Sequence, residues 1–261
     1  MAQEETFFDF AATVGLTKHF GGVEATDEMA RLCHIGEGSN VLDVGCGAGV
    51  TPCYLARVYG CRVVGVDISE GMVARSRERA TKERLSDRVS FRVADAQDLP
   101  FEDATFDAVL TESVTAFPKD KQAAVSEYAR VTRPGGYVGL NESTWLKAPP
   151  PPEMIAWASQ DVGATVMPLT REGWEALLDN AGLEDIVTRM RGLDTRDETR
   201  GILRRYGCTG MLNIAWRGLR LYLRNPAYRR FVSGVREGGL KPKHLDVYFG
   251  YGMYTGRKPQ A

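Results

Sequence analysis

Acidic residues recur where short apolar runs give way to glycine, and their spacing is that of a ligand site. The run beginning at Asn40 ends in Asp43-Val44-Gly45-Cys46-Gly47-Ala48-Gly49. Glycines at 45, 47 and 49 let the main chain turn tightly and approach a ligand with no side chain in the way. A helix after such a loop presents free N–H groups. Position 50 is Val50, so the third glycine of a GxGxxG dinucleotide loop is missing. Asp43 lies two residues before the first glycine, where a carboxylate opposes a pyrophosphate and suits a cationic ligand. Asp67 follows 24 residues later, at the end of RVVGVD, where an acid can accept both hydroxyls of a ribose. Each such charge-assisted bond contributes about 1.5–3 kcal/mol. Ser69 is then the better helix cap. Ile68 and Met72 offer apolar surface to an adenine face, with core packing as the alternative for both. Asp95-Ala96 supplies a carboxylate and an N–H that could read the adenine amino edge, or a turn-forming aspartate. Glu112 is placed to face the cofactor or the acceptor.

These residues need elements that bring them to one edge. Asn40–Gly45, Arg62–Asp67, Val89–Ala94, Phe106–Thr111 and Gly136–Asn141 read as strands. Residues 26–35, capped by Thr26 or Asp27, read as a helix, as do Thr51–Tyr59, Glu70–Arg84 and Lys119–Thr132. Alternating strands and helices with short connections predict an α/β fold with a doubly wound parallel sheet covered on both faces. Ligands of such sheets bind beyond the carboxyl ends of the strands, where the order reverses.

Composition narrows the remaining classes. Apolar residues make up 43% and charged residues 26% of the 261 residues, which excludes a disordered, collagen-like or coiled-coil chain. A formal net charge of −1 argues against a surface built wholly to neutralise phosphates. Five cysteines without CxxC spacing indicate neither a disulfide framework nor a thiolate metal site, and no metal is expected. Free thiols suit a reducing cytoplasm. No signal peptide and no spanning run of apolar residues is visible.

VLDVGCGAG, VVGVDIS, VADAQDLPFEDATFDAV and RVTRPGGYV occur in order over about residues 36–145. Together they resemble the class I S-adenosylmethionine-dependent methyltransferases. The resemblance is nearest to the small-molecule branch that includes ubiquinone/menaquinone C-methyltransferases and sterol-type enzymes. It implies a Rossmann-like, seven-stranded, mostly parallel sheet with an antiparallel last strand. It implies that Gly45, Cys46 and Gly47 of the loop cradle the methionine part of S-adenosyl-L-methionine, with Asp43 nearby. Asp67 would hold the ribose, Ile68 would pack on adenine, Asp95 with Ala96 would read the adenine edge, and Glu112 would lie near the methionine end.

Methyl transfer from a sulfonium is an in-line displacement in which the protein mainly positions the reactants and excludes water. A base is needed only when the acceptor must lose a proton. His19, in a segment expected to fold over the cofactor, and Glu142, after the fifth strand, are the candidates. Phe7, Phe8 and Phe10 either close that lid or dock an amphipathic N-terminal helix. Enzymes that methylate base amines often carry an Asn/Asp-Pro-Pro-aromatic loop after the fourth strand. Here the loop reads Thr111-Glu112-Ser113-Val114-Thr115-Ala116-Phe117, so a small-molecule substrate is expected and nucleic acid is not.

The expected organisation is an N-terminal helical lid (1–35), a cofactor-binding core (36–192), a helical cap insertion (193–247) and the last core strand (248–261). The insertion separates the expected sixth strand, Gly182–Arg191, from the last, Tyr248–Lys258. It holds 12 Lys plus Arg against 5 Asp plus Glu. Asn213, Arg217, Arg220 and Arg224 share one helical stripe, and an apolar arc that includes Leu212, Trp216, Leu219 and Leu223 covers the rest. Such an arc calls for burial under a cap, in a homodimer or at a membrane surface. The alternatives to a capped small-molecule enzyme are a membrane-surface methyltransferase acting on an isoprenoid quinol or phospholipid headgroup, and a non-catalytic cofactor-binding protein.

Overall fold

The structure is a computed structural model that describes residues 7–260, apart from 16, 18, 160–165, 194, 238–241 and 243. Five parallel strands form its centre: β1 (Asn40–Val44), β2 (Arg62–Asp67), β3 (Val89–Val93), β4 (Phe106–Glu112) and β5 (Thr132–Trp145). β6 (Leu169–Thr170), β7 (Glu184–Gly192) and β8 (Phe249–Arg257) complete the sheet. The order is β3-β2-β1-β4-β5-β8-β7, with the two-residue β6 beside the end of β5. β8 runs antiparallel to both β5 and β7. The expected seven-stranded path is therefore present, with β6 as an eighth strand too short to leave a periodic signal. β5 also runs four residues beyond its expected end at Asn141, to Trp145.

Period-two alternation explains the two cores. Val41, Val63, Phe91 and Leu110 point to the face covered by α2 (Gly22–Leu32), α3 (Val50–Tyr59) and α4 (Glu70–Glu83). Leu42, Val109 and Leu140 point to the face of α5 (Lys121–Val131) and α7 (Arg171–Asn180), whose Trp174 packs into the same core. α2 starts four residues earlier than Thr26. Its N-cap is Gly21 in the left-handed conformation, not a side-chain cap, and a Cβ there would lie 2.6 Å from the Tyr251 hydroxyl. Thr26 is instead buried within the helix. Ser69 caps α4 as expected, its Oγ accepting from the Met72 N–H at 3.3 Å.

The remaining helices lie outside the sheet motif. α1 (Phe7–Val14) packs against α4 and against α8 (Thr195–Arg224), which breaks at Gly207 with φ 63° and ψ 174°. Asn225 Oδ1 accepts from the N–H groups of Ala227 and Tyr228, and so starts α9 (Pro226–Glu237). Phe10 contacts the rings of Tyr228 and Phe231, each at 5.2 Å. This is the docking of the N-terminal helix. The side chains of Phe7 and Phe8 lie outside the described residues. α6 (Pro152–Ser159) and α10 (Leu245–Tyr248) border the end of β5.

Candidate functional site

The strand order reverses between β1 and β4, so the loop after β1 opens where a parallel sheet offers a crevice. Gly45 and Gly47 both have positive φ, 72° and 53°. A Cβ on Gly45 would collide with Val114, and one on Gly47 would lie 2.6 Å from Thr17 Cγ2. The bare main chain is thus enclosed by two side chains from distant parts of the sequence. Gly45 and Cys46 both donate to the Val66 carbonyl, which joins the loop to β2.

Asp67 completes that junction. Its Oδ2 accepts from the Gly47 N–H at 2.9 Å and its Oδ1 from the Ser69 N–H at 2.9 Å. Each carboxylate oxygen retains a lone pair for a hydroxyl donor. Burial raises the Asp67 pKa, and the two N–H groups oppose that rise. Burial also drives the Cys46 thiol well up, with the charges of Asp43 and Asp67 adding to it. Burial thus keeps Cys46 as a neutral thiol, and Asp67 is the carboxylate hydrogen-bonded to the loop. Asp43 is 2% exposed. Ile68 stands two-thirds exposed beside Asp67, at 67%. Met72 is buried against Ala11 of α1. Asp95 holds a turn, its Oδ1 accepting from the Gln97 N–H at 2.9 Å, with Ala96 half-buried behind it.

Glu112 does not stand open at the end of β4. Its Oε1 accepts from Thr26 Oγ1 at 2.9 Å and its Oε2 from Thr51 Oγ1 at 3.0 Å. His19 Nε2 lies 3.4 Å from Oε2, and its Nδ1 lies 3.2 Å from the Phe20 carbonyl. Both ring nitrogens thus face acceptors, and His19 ties its segment to β4. Phe20 continues the crossing: its N–H donates to Ser113 Oγ at 3.3 Å, and its carbonyl accepts from Asn141 Nδ2 at 2.9 Å. Thr17, His19 and Phe20 thus lie against the loop after β1, the end of β4 and Asn141 of β5 respectively.

Glu142 points to the opposite face of the sheet from Asn141. It is fully buried, and its Oε1 accepts from the N–H groups of Val114 and Thr115 at 2.9 and 2.6 Å. Burial pushes its carboxyl up to about 7 against the pull of those bonds. Glu142 therefore fixes the loop that carries Val114 over Gly45.

Three participants escaped the sequence reading because their contacts span long stretches of chain. Thr26 and Thr51 are 86 and 61 residues from Glu112. Tyr206 of α8 is 189 residues from Thr17; its hydroxyl accepts from the Thr17 N–H at 2.7 Å and donates to the Thr17 carbonyl at 2.8 Å. The fourth component is an aromatic wall. Trp145, Trp157 and Phe20 pack around Phe249, with Trp145 and Trp157 each 5.5 Å from its ring. The extension of β5 was the missing signal for it.

A nucleoside with a cationic group fits this arrangement: the Asp67 carboxylate, positive-φ glycines in the loop after β1, and exposed Ile68. Among the described residues no cluster suited to a metal ion occurs. Residues 42–140 match the family described as a methyltransferase domain. A protein of unassigned function from Haemophilus influenzae is 30% identical over 236 residues, covering 89% of this chain and 93% of that one. The 27-O-demethylrifamycin SV methyltransferase of Amycolatopsis mediterranei is 37% identical over 161 residues, 61% of this chain and 59% of its own. In fold, the crystal structure of the [4+2]-cyclase SpnF superposes with a TM-score of 0.75 at 24% identity, covering 97% and 92% of the two chains. The chain thus spans less than two-thirds of the rifamycin enzyme but nearly all of the Haemophilus relative. By sheet order, glycine loop and the family match over residues 42–140, the chain carries a methyltransferase domain with the fold of the class I S-adenosylmethionine-dependent enzymes.

Proposed function

We propose that this chain methylates a small molecule with an apolar body, held beside the glycine loop and oriented by Trp145, Trp157 and Phe249. The observation that carries the cofactor side is the Asp67 carboxylate at the end of β2, held on the Gly47 and Ser69 N–H groups beside the positive-φ glycines of the loop. When bound, S-adenosylmethionine supplies a methyl group already activated on a sulfonium. Asp67 is assigned to the ribose hydroxyls, and Asp43 to the field that favours a cation. Gly45, Cys46 and Gly47 are assigned to the methionine part, Ile68 and Met72 to the adenine surroundings, and Asp95 with Ala96 to its edge. Thr17 and Val114 exclude water from the loop, which strengthens electrostatic contacts within it. Trp145, Trp157 and Phe249 orient the acceptor by shape.

Neither His19 nor Glu142 is asked to take a proton. His19 holds the crossing segment on Glu112, and Glu142 holds the β4–α5 loop. Both act by positioning, which matches chemistry whose main requirement is alignment. Calorimetric titration with S-adenosylhomocysteine, followed by transfer of labelled methyl from S-adenosylmethionine into a cell extract, tests the proposal. Saturable binding and label in the low-molecular-mass fraction are expected. Absence of binding would overturn the cofactor assignment, and label found only in macromolecules would overturn the acceptor class.

A further inference from the structure

α8 exposes what folding ordinarily hides. Leu212, Trp216, Leu219 and Leu223 follow steps of four, three and four and so form one row. They are 71%, 66%, 51% and 66% exposed, with Tyr222 beside them at 41%. The inward row of the same helix is different: Met211, Ile214, Gly218 and Leu221 are the half-buried positions. The apolar arc is therefore split, and only part of it is used to dock α8 on the rest of the chain. Over the eleven steps from Leu212 to Leu223 the exposed strip is about 16 Å long. A contiguous strip of this kind on a folded surface marks an interaction site.

The charge beside it says what kind. Arg217, Arg220 and Arg224 form the adjacent row, one residue on from Trp216, Leu219 and Leu223. Arg220, Arg224 and Arg230 are exposed. Residues 199–236 contain nine arginines and no Asp or Glu. A second copy of this chain pairing row to row would set arginine against arginine with no acid in the segment to separate them. An anionic lipid surface satisfies both rows at once: leucines and Trp216 enter the acyl boundary while the guanidinium groups meet phosphates. Trp and Tyr suit that depth because each has an apolar body and one polar tip.

We infer that the outward face of α8 docks this methyltransferase on an anionic membrane surface through Leu212, Trp216, Leu219 and Leu223, flanked by Arg220 and Arg224. The surface does not depend on the cofactor assignment, since none of its residues touches the glycine loop. No helix among the described residues is long and apolar enough to cross a membrane, so the contact is peripheral.

Flotation of the full chain with vesicles of equal parts phosphatidylglycerol and phosphatidylcholine, and with vesicles of phosphatidylcholine alone, is the test. Binding to the anionic vesicles at low salt, weakened at high salt, is expected. A Trp216→Ser/Leu219→Ser variant should lose binding by about tenfold or more, and an Arg220→Glu/Arg224→Glu variant should lose the preference for the anionic vesicles. Both should bind S-adenosylhomocysteine as the parent does, which separates failure here from failure of the cofactor assignment. Absence of flotation, or flotation unchanged in both variants, would overturn the inference. So would a parent dimer in analytical ultracentrifugation that Trp216→Ser/Leu219→Ser converts to monomer, because the face would then belong to a second copy.

Discussion

The glycine loop and the outer face of α8 treat side chains in opposite ways. At the loop, carboxylates are buried and backbone donors converge on them; Asp67 alone links Gly47 to Ser69. Along α8, four large apolar side chains stand in solvent next to arginines. The loop spends polar groups on internal alignment, which a displacement reaction needs. The helix breaks the usual rule for apolar residues, and such breaks are expected at sites meant for something outside the fold. Between them stands Tyr206, which belongs to the helix and grips Thr17 over the loop.

The largest expected effect lies at the loop. Asp67→Ala removes two charge-assisted acceptors for a ribose and should weaken S-adenosylhomocysteine binding by about a hundredfold or more, from roughly 1.5–3 kcal/mol per bond. Calorimetry reads the loss, with circular dichroism to confirm that the sheet persists. An unchanged affinity would erase the distinction between the two regions.

Glu142 comes next. Its folded pKa of about 7 lies above the ordinary carboxyl value because burial disfavours the charge. The folded state therefore binds a proton more readily than the unfolded chain between about pH 4.5 and 7. The resulting stabilisation is full below the unfolded value and disappears as pH rises through 7. Urea unfolding should show the parent losing on the order of 2–3 kcal/mol across that window from this group. Glu142→Gln should flatten that slope.

Tyr206→Phe tests the link between the regions. Loss of its hydroxyl bonds to the Thr17 N–H, carbonyl and Oγ1 should cost about 1–2 kcal/mol and speed amide exchange around Thr17 and His19. Smallest of all, Trp216→Ser should change stability in solution by no more than about 0.5 kcal/mol, measured by the same urea titration. A large destabilisation there would mean that the tryptophan is core.

Much of the strand-end geometry was legible because it is local. β2 runs over Arg62–Asp67 as its apolar run predicts, and Ser69 caps α4 two residues later. Alternation placed the five parallel strands, and the missing third glycine spoke against a pyrophosphate. What could not be read was set by contacts distant in sequence. Glu112 reads from sequence as facing the cofactor or the acceptor, but that Thr26, Thr51 and His19 surround its carboxylate depends on residues 61 to 93 positions away. The start of α2 was misplaced because Gly21 caps it by backbone conformation. The charge asymmetry of the insertion was plain in the residues, but which row of α8 turns outward depends on how the helix seats on α1 and α2.

The sheet's order also dictates a timetable for synthesis. β8 is last along the chain, yet it lies between β5 and β7. The five parallel strands can assemble as they emerge from the ribosome, whereas β7 has no neighbour until β8 arrives. Until then two strand edges remain open to wrong pairing. Chaperone dependence should therefore concentrate in the interval between the synthesis of β7 and that of β8, after the five parallel strands have formed.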